Sequence, residues 1–145
     1  LDKNGVRTIT EEHWGMQYSI AYSGFAVLGF PAEGSETAAC SDGETVVNTL
    51  QTTMQFLRPV EETWDESSPT RRLTSFLPDT EEIDSIKGMS GGPIIAFANL
   101  DRLRFWVVAI QSSWIRSTRQ IFATPILEII PYIEEWLDDS GERAL

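Results

Sequence analysis

The sequence predicts a mostly β domain that ends in one C-terminal α-helix, and three features of its 145 residues point there. Short runs rich in β-branched and aromatic residues recur along the chain, as at 17–22, 25–30, 71–77, 94–97, 105–111 and 121–125. Side chains of that kind fit a pleated, half-buried surface. Between the runs stand Gly, Pro, Asn, Asp and Ser, the residues that turns require. From Ile126 onward the pattern changes: apolar residues at 126, 129, 130, 133, 136 and 137 recur with helical spacing, interleaved with Glu128, Glu134 and Glu135.

Taken in order, residues 1–14 form an approach segment, with turn chemistry at Asp2, Lys3, Asn4 and Gly5 and a capping box from Thr8 to Glu11 opening a short helical turn. Residues 15–125 are the β-rich body. Its first strands are 17–22 and 25–30, parted by Ser23 and Gly24, and Gly29–Phe30–Pro31 ends the second. Residues 31–43 lack periodicity and read as an exposed loop that includes Cys40, which has no basic neighbour to activate it. A long strand is expected over 45–57, with Val47, Leu50, Met54 and Phe56 as apolar candidates. The acidic run 60–69 reads as a solvated loop, not a metal site, since no histidine accompanies it. Strand character resumes at 71–77, and 78–82 turns toward a glycine-rich loop. Segments 94–97 and 105–111 form a hairpin across Asn99, Leu100 and Asp101, apolar on both faces, with Trp106 in the core. Arg116 and Arg119 make 115–120 a basic loop. Residues 126–145 are the helix and its tail; Pro131 belongs in the first turn or kinks the helix, and Trp136 anchors it to the sheet.

Charge excludes two classes of partner. Twenty-two acidic residues against eleven basic ones give a formal net charge of −11. Nucleic-acid binding is driven by Lys and Arg displacing counterions, so no nucleic acid is expected, and an anionic membrane surface would repel the chain. No apolar run reaches the length of a membrane span. One cysteine cannot form an internal disulfide, which favours a reducing, cytoplasmic setting. Nothing in the spacing of potential ligands calls for a metal or a cofactor.

The stretch that suggests chemistry is Lys87, Gly88, Met89, Ser90, Gly91, Gly92, Pro93. A serine with glycine two positions before it and two glycines after it can sit on a tight turn, its hydroxyl exposed and neighbouring backbone N–H groups converging on one point. Acyl transfer needs such an arrangement: an attacking Oγ beside donors that hold an oxygen going negative. At these residues the chain resembles the chymotrypsin-like (trypsin-like) serine peptidases, whose hallmark is Gly-x-Ser-Gly-Gly-Pro. The strands after Ser90 and the closing amphipathic segment continue the likeness, and AVLGFP at 26–31 resembles a strand found early in the second barrel of bacterial members.

The resemblance implies an antiparallel six-stranded Greek-key β-barrel, the second barrel of that fold, followed by the C-terminal helix. It implies Ser90 as nucleophile, the N–H groups of Gly88 and Ser90 as oxyanion hole, and Gln111, Ser112 and Ser113 as the strand that pairs with substrate backbone. Asp84 and Ser85 stand six and five residues before Ser90, the spacing at which trypsins carry their specificity aspartate and its neighbouring serine. Asp84 would then favour Arg or Lys substrates; an ordinary surface aspartate is the alternative. Trp114 and Gln120 stand where the family has small pocket walls, which narrows or closes that pocket. Met89 replaces the aspartate that answers a new amino terminus in animal relatives, so that activation switch is not expected here.

The family's triad also needs a histidine and an aspartate from the first barrel. His13 is the sole histidine and lies in the polar run Glu11, Glu12, His13, outside the family's context. At 145 residues the chain is also short beside the roughly 200–250 common for such folds. The expectation is therefore the nucleophile-bearing half of a serine endopeptidase acting on a polypeptide substrate, with histidine and aspartate supplied by an N-terminal barrel segment or chain, in a bacterial source. Two alternatives stay open: a catalytically inactive peptidase-like domain that binds an extended peptide or protein partner by strand addition, and a self-contained hydrolase using His13.

Overall fold

In a computed structural model that describes residues 9–17, 19–32, 36–39, 46–49, 52–63, 71–79 and 85–140, the two-residue apolar periodicity becomes nine strands. They are β1 (Gly24–Gly29), β2 (Glu36–Ala39), β3 (Val46–Thr49), β4 (Thr53–Leu57), β5 (Glu61–Thr63), β6 (Arg72–Phe76), β7 (Pro93–Asn99), β8 (Leu103–Ile115) and β9 (Gln120–Pro125), followed by α1 (Ile126–Ser140). Seven of them form one antiparallel sheet in the order β4-β1-β7-β8-β9-β6-β5, while β2 and β3 pair with each other apart from it. The protein is thus mostly β with one C-terminal helix.

Alternation decides which face is buried. Along β7, Ile94, Ala96 and Ala98 are buried while Pro93, Ile95 and Phe97 are half-buried, so one face meets the core and the other is covered in part. Val27, Leu73, Val108 and Ile121 enter the same core from β1, β6, β8 and β9, joined by Ile86 and Met89 from the loop before β7. Each such side chain stabilises the fold by about 1.5–3 kcal/mol relative to exposure. Alanines at 26, 96, 98, 109 and 123 are buried among them and leave room for these larger neighbours. Trp106 is buried in the cluster, as its sequence context predicts.

The outermost strands of the sheet, β4 and β5, are separated in the chain by three residues, Arg58, Pro59 and Val60. At that junction the Arg58 N–H donates to Phe76 O at 3.0 Å, and the buried Ser75 Oγ donates to Arg58 O at 2.6 Å. Two irregularities interrupt the ladders around β8, one at Ile94/Ile95 and one at Gln111/Ser113. In the second, Ser112 is the extra residue, and its Oγ donates to Phe122 O. Bulges of this kind re-aim side chains next to a site.

Several elements differ from the sequence expectation. Of the strand expected over 17–22, the described residues 17 and 19–22 form none: Ile20 N–H bonds to Gln17 O, and Gln17 N–H is taken by the Tyr22 hydroxyl at 2.6 Å, so local bonds replace a ladder. The long strand expected over 45–57 is two strands with different partners, β3 on β2 and β4 on β1. Loops expected at 31–43 and 60–69 contain β2 and β5, and β8 runs on to Ile115, into the segment read as a basic loop. The helical turn Glu11–His13 is capped by Thr10, whose N–H reaches His13 Nδ1, so Glu11 opens the turn and does not close a box. Thr8, Cys40, Leu50 and Asp84 lie outside the described residues.

The helix departs most. α1 packs on β8 and β9 through its first turn, where Ile126, Ile129 and Ile130 are half-buried. Gly15 lies beneath Leu127: a Cβ there would stand 2.8 Å from Leu127 Cδ1. Residues 131–136 are exposed, and Trp136, expected as the anchor, is 63% exposed. The cause is geometric. β9 runs directly into α1, so the first turn sits over the sheet and later turns project past it. Pro131 lies inside the helix, beyond its first turn. Among the described residues, no helix is long and apolar enough to cross a membrane.

Candidate functional site

The loop from Ile86 to Gly92 joins the core to β7 and is gripped from two sides. On one side is the end of β1. Ala32 N–H donates to Lys87 O at 2.7 Å, and Met89, 1% exposed, packs so tightly on Gly29 that a Cβ at Gly29 would meet Met89 Cβ at 2.9 Å. On the other side is β8. Gly91 N–H donates to Gln111 O at 2.8 Å, and Gln111 N–H donates to Gly92 O at 2.9 Å. Two glycines answer steric demands here. Gly88 has φ +96°, and a side chain on it would press on Ala32 N and Phe30 O. Gly92 has its α-carbon against the Leu28 carbonyl, which a Cβ would overlap. The glycines of the motif therefore serve close backbone approach as well as turning.

The amides of this loop divide into two sets. Lys87 N–H donates to the Ser85 hydroxyl, Met89 N–H to Ile86 O, Gly91 N–H to Gln111 O and Gly92 N–H to Met89 O. The N–H groups of Gly88 and Ser90 have no acceptor among the described residues. These are the two that the sequence assigns to an oxyanion hole. Met89, turned into the core between them, leaves Ser90 exposed, and the Ser90 hydroxyl has no hydrogen bond among the described residues. A cavity of about 340 Å³ opens beside Ser90, lined by the loop, the Leu28–Phe30 end of β1 and Thr52.

The other expected site residues are distributed as follows. Gln111 is 1% exposed, and its side-chain Oε1 and Nε2 have no partner among the described residues, an uncommon condition for a buried amide. Ser112 and Ser113 are exposed on the same strand. Ser85 is buried, with its Oγ accepting from Lys87 N–H; Asp84 beside it lies outside the described residues. Trp114 is partly buried against the core.

His13 is held elsewhere. Its ring stacks on Phe105 with centroids 5.4 Å apart, its Nδ1 is 3.0 Å from Thr10 Oγ1, and Glu12 stands 3.9 Å away. Phe105 precedes Gln111 by six positions along β8, which at about 3.3 Å per residue puts roughly 20 Å of strand between the histidine and the loop. No group of three or more potential metal ligands is found among the described residues.

Sequence reading missed the β1 end as a site component. The signal was Gly29 in the run AVLGFP: a glycine interrupting an apolar strand marks close approach by another segment, here Met89. Comparison of the chain with protein-family models, with curated proteins and with solved structures gives no match.

Proposed function

We propose that the chain is the nucleophile-bearing half of a trypsin-like serine endopeptidase. Ser90 Oγ attacks a peptide carbonyl carbon, its proton passes to an imidazole oriented by a carboxylate, and the carbonyl oxygen becomes an oxyanion held by the N–H groups of Gly88 and Ser90. Collapse of that intermediate breaks the C–N bond, the amine leaves with the imidazole's proton, and water then releases the acyl group from Ser90. Histidine and aspartate come from an N-terminal barrel segment or chain, because His13 stacks on Phe105 at the far part of β8.

The observation that carries this reading is the division of amides. Among the described residues, four loop N–H groups are engaged within the protein, and the two flanking Met89 are left available beside an exposed serine. Both residues are exposed, so these N–H groups face solvent, and an anion that replaces water there gains two donors at once. The strand order supports the barrel part of the proposal. Counting β4 and β5 as one strand gives six, and the bond from Arg58 N–H to Phe76 O lies at the junction through which such an order would close. The first strand β1 neighbours β7, and β6 neighbours the last strand β9, adjacencies that a Greek key would also have.

A second reading is a catalytically inactive domain that binds an extended peptide by strand addition along Ser112 and Ser113, past Gln111, whose own N–H and C=O are bonded to Gly92 and Gly91. It is favoured by the absence, among the described residues, of any imidazole or carboxylate bonded to Ser90. Fluorophosphonate labelling separates the two. With the histidine- and aspartate-bearing segment present, Ser90 is expected to be labelled, and Ser90→Ala to lose the label while folding as the parent does. No label in a demonstrably complete assembly would leave the binding reading standing in its place.

A further inference from the structure

The cavity beside Ser90 has a distinct chemical character. Its walls are Leu28, Phe30, Met89 and Pro93, with Thr52 and Ser90 as polar groups, and among the described residues none that lines it carries a charged side chain. Met89 is its buried end and Phe30, 47% exposed, stands at its open edge. No residue of β8 lines it. The loop that bears Ser90 therefore has two different flanks, with β8 bonded to Gly91 and Gly92 on one and this apolar hollow on the other.

We infer that the cavity receives one large apolar side chain, aromatic or branched aliphatic, of the peptide attacked at Ser90, and that this residue lies across the scissile bond from those that pair with β8. The inference rests on the reading of Ser90 as nucleophile. An extended chain that runs along Ser112 and Ser113 and presents a carbonyl to Ser90 has to leave the loop on its other flank, where the cavity is. The size fits one residue: a cavity of roughly 150 Å³ already holds a benzene-sized group, and 340 Å³ is near the small end of ligand pockets. Charge is selected against, since an ionised side chain would shed its hydration with no counter-charge among the described lining residues.

The test needs neither a base nor turnover. The ¹⁵N-labelled chain is titrated with the N-acetyl N-methylamides of phenylalanine, leucine, serine, lysine and glutamate, and its backbone amide shifts are followed. The phenylalanine and leucine compounds are expected to shift Phe30, Thr52 and Met89 with dissociation constants at least about tenfold below those of the charged compounds. Thr52→Trp, which fills the opening, is expected to weaken that binding about tenfold, and Thr52→Ala to retain it. Should Thr52→Trp fail to fold, Phe30→Ala replaces it and is expected to weaken binding for want of a wall. Equal affinity for lysine or glutamate, shifts confined to another surface, or indifference to Thr52→Trp in a folded chain would overturn the inference. Apolar selectivity without fluorophosphonate labelling of the complete assembly would refute the peptidase reading and leave the pocket. Labelling without apolar selectivity would do the reverse.

Discussion

Alanine at Gly92 and alanine at Gly91 test the loop geometry against each other. At Gly92 the new Cβ would overlap the Leu28 carbonyl oxygen and lie 2.9 Å from Met89 O, both backbone atoms that no rotamer change can move. Relief requires the loop and the end of β1 to part, at about 1–3 kcal/mol for the overpacking. That movement also strains the two bonds to Gln111, each contributing about 1 kcal/mol. The expected loss is about 3–5 kcal/mol. At Gly91 the space around a Cβ is empty, and the cost is that of a side chain at φ +87°, about 1–2 kcal/mol. Urea unfolding followed by tryptophan fluorescence reads both, with Trp106 in the core as reporter. At about 3 °C per kcal/mol for a domain of this size, the melting temperature should fall by about 9–15 °C for Gly92→Ala and about 3–6 °C for Gly91→Ala. A Gly92→Ala loss no larger than that of Gly91→Ala would refute the claim that the loop is seated against the Leu28 carbonyl.

Three further outcomes are expected. Gln111→Met should leave stability unchanged or raise it by up to about 1 kcal/mol in thermal melts, because it removes a buried amide that has no partner among the described residues while preserving length. A clear fall would mean that the amide is satisfied. Ser75→Ala should cost about 1–2 kcal/mol in urea unfolding, since the Arg58 carbonyl between β4 and β5 would lose its donor; no loss would mean that the junction is held by other bonds. Pro131→Ala should raise the 222 nm helical signal and add up to about 3 kcal/mol, because residue 131 is exposed, inside α1, and now able to donate to the carbonyl four residues back.

The sequence was most legible where local pattern and tertiary demand agree. The runs that became β1, β6, β7 and β9 have β-branched or aromatic residues bounded by turn residues, and their positions hold within a residue or two. The helical spacing after Ile126 likewise marks α1. The glycines around Ser90 announced a tight loop, and Gly88 and Gly91 do take positive φ. Other features depend on distant partners. Residues 17–22 have strand composition, yet the Tyr22 hydroxyl takes the Gln17 amide that a ladder would have used. β5 is a strand because β6 lies beside it, and nothing in its glutamates announces that. Helical periodicity gives the apolar stripe of α1 but not where the sheet beneath it ends, so Trp136 lies past the support. The pairing of the Gly91 amide and of the Lys87 carbonyl depends on Gln111 and Ala32, residues that no local pattern connects to Ser90.

The two-sided grip on the Ser90 loop has a consequence for how the chain matures. One jaw comes from residues near Ala32 and the other from Gln111, so the loop waits on segments far upstream as well as downstream of it. Contacts so distant in sequence are slow to form, because chain entropy is lost before they repay it. A nascent or partly folded chain, or a peptide cut out around the glycines, therefore lacks the arrangement at residue 90 altogether. Its appearance reports that the whole sheet has assembled.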